Sequence, residues 1–205
     1  LLLHESGLVP YIRFYRDAID EYSVTDPFTQ GFVDEWHHTR MGEYTYACSD
    51  FKFKKGLVSA TKTSGHTLQI ADGLWLDKKF KAAMMSIAQS ELDRKRFVYS
   101  DIGFILLQQV VEAVTGKTLD AYLVSEFYRP MGLEHTLFQP LNRYKKADIM
   151  PTAANDYLRR QDLCGYVYDE AAAFMGGVSG NAGLFSTAQE LGKIYQMILN
   201  DCELD

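Results

Sequence analysis

Phe97-Val98-Tyr99-Ser100-Asp101-Ile102-Gly103-Phe104 joins an extended approach to the start of a helix and sets a tyrosine at the junction. Ser100 and Asp101 are both good helix N-caps. Ile102, Ile105, Leu106, Val110, Ala113 and Val114 then recur at helical spacing until Gly116, which predicts one helix closed by a glycine. Tyr99 therefore lies just ahead of a helix N-terminus, where unpaired N–H groups and the macrodipole favour an anion. A phenol held there is helped toward its ionised form when the surrounding charge cooperates.

Downstream, Leu119, Tyr122, Leu123 and Phe127 predict a second amphipathic helix ended by Pro130-Met131-Gly132. Phe138 to Arg160, with Pro140 and Pro151, reads as irregular loop. The glycine-dense segment Gly176-Gly177-Val178-Ser179-Gly180-Asn181-Ala182-Gly183 can bring backbone close to a ligand or to another part of the chain. It is not a P-loop, because no Gly-Lys-Ser/Thr follows. Thr187-Ala188-Gln189-Glu190 matches a capping box and opens a helix through Leu191, Ile194, Tyr195 and Ile198.

Upstream, Asp77 to Ser90 has helical spacing, while Tyr44-Thr45-Tyr46, His66 to Ile70 and Ala71 to Leu76 have strand and turn character. Weak helical patches cover Ile12 to Tyr22 and Phe32 to Met41. Leu1 to Leu8 reads as the last turn of a helix stopped by Ser6-Gly7. The chain is therefore expected to be a cut piece of a longer protein.

The 205 residues, 47% hydrophobic with a net charge of -6, suffice for one domain with a real core and disfavour a nucleic-acid partner. No apolar run approaches the roughly 20 residues of a membrane helix. Cys48, Cys164 and Cys202 are far apart and form no C-x-x-C pair, which indicates neither a zinc site nor a disulfide framework. His37-His38 does not make a metal pair, because adjacent residues of a helix do not face each other. No metal or other cofactor is expected.

Four segments in this order resemble the serine β-lactamases and DD-peptidases, most nearly the class C and esterase-like branch. They are Leu-Leu-x-His-x-Ser-Gly-Leu at 1–8, Tyr99-Ser100-Asp101 with its helix, Phe127-Tyr128-x-Pro130-Met131-Gly132-Leu133, and Gly180 to Ala188. Val167 to Ala188 resembles, more narrowly, the β-lactamase-related domains found beside a glycoside hydrolase family 3 domain in Bacteroidetes. The resemblance implies an acyl-enzyme hydrolase of amides, esters or cell-wall peptides, exported to the periplasm or cell surface. It also allows a non-catalytic binding or scaffold domain of the same fold.

Carried over by position, Tyr99 takes the general-base place and Asp101 the third place of the family's Tyr-x-Asn motif, with Gly180 and Asn181 near substrate. Asp101 departs from the pattern, since an ionised carboxylate only accepts hydrogen bonds and its charge disfavours a phenolate beside it. Asn181 and Tyr168 stand where the branch often has histidines. The family's nucleophilic Ser-x-x-Lys lies upstream of the segment that begins this chain, and its Lys-Thr-Gly strand lies beyond the segment that ends it. Literal matches at Ser49–Lys52 and Ser59–Lys62 come after the landmark, open no apolar helix, and read as decoys.

The expected architecture is mainly α within the α+β class: the helical portion of a β-lactamase/DD-peptidase-like fold without the terminal strands of its main sheet. Residues 1–205 form a single domain fragment, with 42–76 an irregular, short-strand insertion. The chain alone is expected to be inactive.

Overall fold

The computed structural model describes residues 1–12, 14–20, 28–30, 33, 37–40, 45–48, 51–88, 97–201 and 203. The chain passes through helix α1 (Tyr15–Ala18) into strands β1 (Phe28–Gln30), β2 (His37–Arg40) and β3 (Thr45–Cys48), an antiparallel sheet in the order β1-β3-β2. A second antiparallel sheet, β4-β6-β5, is made of β4 (Val58–Ser59), β5 (His66–Ala71) and β6 (Leu74–Asp77). Asp72-Gly73 turns β5 into β6, and Gly73 has a φ of 59°, the left-handed backbone such a tight hairpin requires.

Strand β6 runs straight into helix α2 (Lys78–Ala88), and α3 (Asp101–Thr115) follows. Helix α4 (Leu119–Leu123) widens into a π turn over Val124–Tyr128. Then come β7 (Leu137–Phe138), the hairpin β8 (Pro151–Asp156) and β9 (Gln161–Cys164), α5 (Glu170–Phe174), β10 (Leu184–Phe185) paired antiparallel with β7, and α6 (Ala188–Leu199). The class is α+β; short strands run along much of the chain, so it is less helical than its periodicity predicts. Among the described residues no helix is long and apolar enough to cross a membrane.

One apolar core joins α1, the second sheet, α2, α3 and α5. Phe14 from the amino-terminal stretch, Phe51, Ile70 and Leu76 of the second sheet region, Met84 of α2, Ile102 and Ile105 of α3 and Phe174 of α5 all lie in it, essentially without solvent contact. Each such side chain contributes about 1.5–3 kcal/mol relative to exposure. Helix α5 is buried along Ala171 to Phe174, and its methyl side chains let the backbone sit deep in the core. The core side of α3 is narrower than its apolar spacing predicts, since Val110 and Val114 are exposed.

The ends of α3 follow the local signals. Ser100 is extended at φ -142°, and its Oγ accepts the Gly103 N–H at 3.3 Å. Gly116 closes the helix at φ 66°.

Other segments depart from expectation. Leu1 to Leu8 holds a single turn, from the His4 N–H to the Leu1 carbonyl, and no helix. Residues 37–40 are a strand rather than part of a helical patch, because pairing with β3 outweighs a weak local preference. His37 and His38 therefore both lie in a strand, not in a helix. Among the described residues no cluster of three metal-ligating side chains exists. The segment read as irregular between Phe138 and Arg160 contains β8, and its hairpin turns where Asn155 and Arg160 adopt positive φ.

The capping box at α6 forms by half. Thr187 Oγ1 accepts the Glu190 N–H at 3.2 Å, but the Glu190 carboxylate crosses to a distant loop instead of returning to Thr187. It accepts the Glu134 N–H at 2.8 Å, the His135 N–H at 3.0 Å and the Thr136 hydroxyl at 2.6 Å. Burial pushes this carboxyl up, but the hydrogen bonds from Thr136, His135 and Glu134 win and hold it at about 2 against an ordinary 4.5. A depressed folded value means stability that is present above pH 4.5 and is lost as the pH falls through about 2. Glu190→Ala is expected to cost about 1–3 kcal/mol in urea denaturation at pH 7, with the difference from wild type narrowing as the pH falls through that window.

Candidate functional site

The amino-terminal segment is pinned onto the Tyr99-Ser100-Asp101 junction by backbone and side chain together. The Val98 N–H donates to the His4 carbonyl, and the Asp101 N–H donates to the Pro10 carbonyl. Ser100 Oγ donates to the Val9 carbonyl at 2.8 Å while serving as the N-cap of α3. His4 Nδ1 accepts the Ser100 N–H at 3.0 Å, so that hydrogen-bond geometry assigns the neutral ring's proton to Nε2.

Above this frame the Tyr99 ring is open to solvent, 64% exposed, and lies outside the core. It leans on the His4 imidazole, with centroids 4.6 Å apart and planes inclined at 31°. Phe97 and Phe104 flank the same imidazole. His4, which has a left-handed φ of 54°, thus fixes both the backbone and one face of the phenol.

Asp101 is half-buried on the first turn of α3. Burial pushes its carboxyl above the ordinary carboxylate range, Asp169 pushes it further, and His4 opposes both. Asp169 and Glu170 belong to the N-terminus of α5: Asp169 Oδ1 caps the helix by accepting the Ala172 N–H at 2.7 Å. Glu170 accepts the Tyr157 hydroxyl at 2.8 Å, and burial raises its carboxyl as well. The Tyr11 phenol is pushed up first by burial and then by Glu170, Asp169 and Asp101. Three carboxyl groups and Tyr11 therefore share one acidic neighbourhood beside the junction.

A raised folded value for Asp101 has a definite sign. Stability falls as the pH rises from the ordinary carboxylate value through the raised one, because the folded state keeps a proton that the unfolded chain releases. Asp101→Asn is expected to raise the melting temperature at pH 7, and the gain should vanish at pH 3.

The glycine segment reaches α3 through two contacts. Gly180 lies so close that an added Cβ would stand 2.1 Å from the Phe104 carbonyl oxygen. Buried Gln108 accepts the Gly180 N–H at 3.1 Å and donates to the Val178 carbonyl at 3.3 Å and to Glu112 at 3.0 Å. Asn181 is tied down too: its Nδ2 donates to Asp169 and its Oδ1 accepts the Ser179 hydroxyl at 2.6 Å. Behind the site, Arg159 and Asp156 form a fully buried, two-pronged ion pair, and the guanidinium also donates to the carbonyls of Val167 and Tyr168. That clamp fixes the backbone leading into Asp169.

Ser59 and Lys62 occupy a strand and the turn after it. Ser59 pairs with Trp75 in the β4–β6 ladder, and its Oγ accepts the Thr61 N–H at 3.3 Å. Lys62 Nζ lies 5.5 Å from the Trp75 ring centroid. Ser49 falls outside the described residues.

His4, Tyr11, Gln108, Arg159, Asp169 and Glu170 complete the picture without having been singled out from the sequence. A readable signal existed for Asp169, an N-cap residue directly before Glu-Ala-Ala-Ala. None existed for the others, whose roles depend on contacts far along the chain.

Residues 59–205 match the family model described as Beta-lactamase. The chain is 34% identical over 188 residues to the "Putative D-alanyl-D-alanine carboxypeptidase" of Escherichia coli (strain K12), covering 84% of this chain and 43% of that protein. It is 41% identical over 117 residues to the "N-acetylmuramyl-L-alanine amidase" of Bacillus subtilis (strain 168), covering 51% of this chain and 26% of that one. The chain thus spans less than half the length of these curated relatives. Among solved structures, the octameric penicillin-binding protein homologue from Pyrococcus abyssi overlaps 60% of this chain and 27% of its own, at 18% identity and a TM-score of 0.42.

Proposed function

We propose that this chain, which belongs to the β-lactamase family by its match over residues 59–205, is the central portion of a serine hydrolase domain acting on cell-wall-derived peptides, amides or esters through an acyl-enzyme. The observation that carries the reading is the Tyr99-Ser100-Asp101 junction, where an exposed phenol is held at the N-terminus of α3 by His4 and by the Ser100 cap. Relatives named as a carboxypeptidase and an amidase support cleavage of an amide bond. An exported setting, the periplasm or the cell surface, suits such a substrate.

In this reading the nucleophilic serine and its lysine, and the strand that binds the substrate carboxylate, come from parts of the domain outside these residues. The serine hydroxyl adds to the carbonyl and its proton passes to the Tyr99–lysine pair. The same proton goes to the leaving amine or alcohol, and water then releases the acyl group. The acidic neighbourhood of Asp101, Asp169 and Glu170 complements the ammonium of that lysine.

The test is intact-mass spectrometry of the longer protein after incubation with a penicillin. One covalent adduct is expected, retained in Ser59→Ala and formed about 100-fold or more slowly in Tyr99→Phe. Loss of the adduct in Ser59→Ala would move the nucleophile into this chain and overturn the assignment. Absence of any adduct would favour a binding module with the same fold. The 205-residue chain by itself is expected to leave nitrocefin unhydrolysed.

A further inference from the structure

Ser100 is 1% exposed, so its N–H is shut off from water, and His4 Nδ1, 3.0 Å away, accepts it. An imidazole accepts a hydrogen bond only while neutral; an imidazolium carries a proton on both nitrogens and only donates. We infer that His4 is a positioning residue with a pH-dependent grip: neutral, it seats the Tyr99 junction on α3, and on gaining a proton at Nδ1 it lets the junction go. This regulation of the proposed site rests on the reading of Tyr99 as a proton-transfer residue.

Protonation sets donor against donor. The new Nδ1–H faces the Ser100 N–H, and a buried donor left without its acceptor loses more than the bond itself. The backbone beneath is strained as well. His4 keeps its left-handed φ of 54° between two bonds, its N–H on the Leu1 carbonyl and its carbonyl on the Val98 N–H. Loss of the Ser100 bond removes a third contact from a residue already held in a sparsely populated conformation.

Tyr99 goes with the ring. Its exposed phenol lies 4.6 Å from the imidazole, and an imidazolium attracts a π face more strongly than a neutral ring does. Movement of His4 away from the Ser100 N–H therefore draws the phenol off the N-terminus of α3. Among the described residues, Asp101 and, behind it, Asp169 supply the negative charge on this side, and Tyr99 is the titratable group on the lead into α3. Phe97 and Phe104 bring no charge, while Glu5 and the Leu1 amino group lie on the segment of His4 itself. Attraction to the Asp101 carboxylate favours the charged ring that has left Ser100.

The test is hydrogen exchange and NMR of the 205-residue chain between pH 8 and pH 5, the range in which imidazoles change charge. The protection factor of the Ser100 amide is corrected for the intrinsic pH dependence of exchange. It is expected to fall about tenfold with the same midpoint as the His4 ring signals, the scale of one lost hydrogen bond. Tyr99 ring resonances, assigned with Tyr99→Phe, should shift at that midpoint. His4→Asn offers an acceptor that takes no proton, so it should keep the protection and lose the pH dependence. A Ser100 protection factor that stays constant while His4 titrates overturns the switch in the wild-type chain alone, and so does an unchanged pH dependence in His4→Asn. In the longer protein, acylation by a penicillin should slow about tenfold more between pH 8 and pH 5 in the wild type than in His4→Asn. Equal slowing beside a measured release of Ser100 would refute the role of Tyr99 alone, and no adduct at any pH would refute the hydrolase reading alone.

Discussion

Replacing Arg159 by alanine is expected to destabilise the fold by about 3–5 kcal/mol, the largest effect of any single side-chain deletion considered for this chain. The Arg159 and Asp156 side chains have no solvent contact at all, and their bonds are 2.8 and 2.6 Å long. Truncation leaves the Asp156 carboxylate buried without its cation and frees the Val167 and Tyr168 carbonyls. In a domain of this size the loss corresponds to a drop in melting temperature of about 6–20 °C. Urea denaturation reads it directly, and a double cycle with Asp156→Leu separates the cost of the orphaned charge from that of the pair. The double variant should recover part of the loss, because replacing both partners removes the uncompensated charge. A single variant as stable as wild type would show that the backbone before Asp169 holds its course without the clamp.

Gly180→Ala is expected to cost about 3 kcal/mol or more, for a reason of space alone. Its backbone does not need a positive φ; the obstacle is the Phe104 carbonyl, with the Gln108 Cβ 3.3 Å away on the other side. Backbone cannot rotate away as a side-chain tip does, so the glycine segment must lift off α3 and part from Gln108. A glycine control makes the measurement specific. Gly192 is interior to α6 with nothing within 4 Å of an added Cβ, so Gly192→Ala should be neutral or stabilise by about 0.5–1 kcal/mol through helix propensity. If the proposed hydrolase activity holds, Gly180→Ala should also lower kcat/KM, since the lifted segment carries Asn181 and its bond to Asp169 away from the proposed site.

The parts legible in the sequence are those whose cause is local. Ser100 and Gly116 bracket α3 because a cap and a left-handed terminator act within a few residues of themselves. Thr187 starts α6 for the same reason. Half of the capping box failed because Glu190 found donors 54 to 56 residues away, which no local pattern encodes. Strand β2 was hidden because its partner β3 decides it, and β8 because two prolines mask a hairpin stabilised from within by an ion pair. At the site, Tyr99 and Asp101 could be named from a motif. His4 could not be given its role, since the bond from Ser100 spans 96 positions. Gln108 interrupts an apolar stripe and looks like a solvent-facing residue until the glycine segment 72 positions later comes to meet it.

That difference in range sets an order of assembly. Among the described residues the hydrogen-bond partners of the Arg159 side chain lie within nine positions of it, whereas Gln108 reaches its partners in the glycine segment across 70 and 72. Loops of about ten residues close in roughly 10–100 ns, and the entropy of closure grows with length. The hairpin and its clamp therefore take shape while α3 is still remote, and the strand-to-helix lead carrying Tyr168 and Asp169 arrives at the Tyr99 junction already bent. In refolding kinetics, loss of the clamp should slow the forward rate, and loss of Gln108 should mainly quicken unfolding.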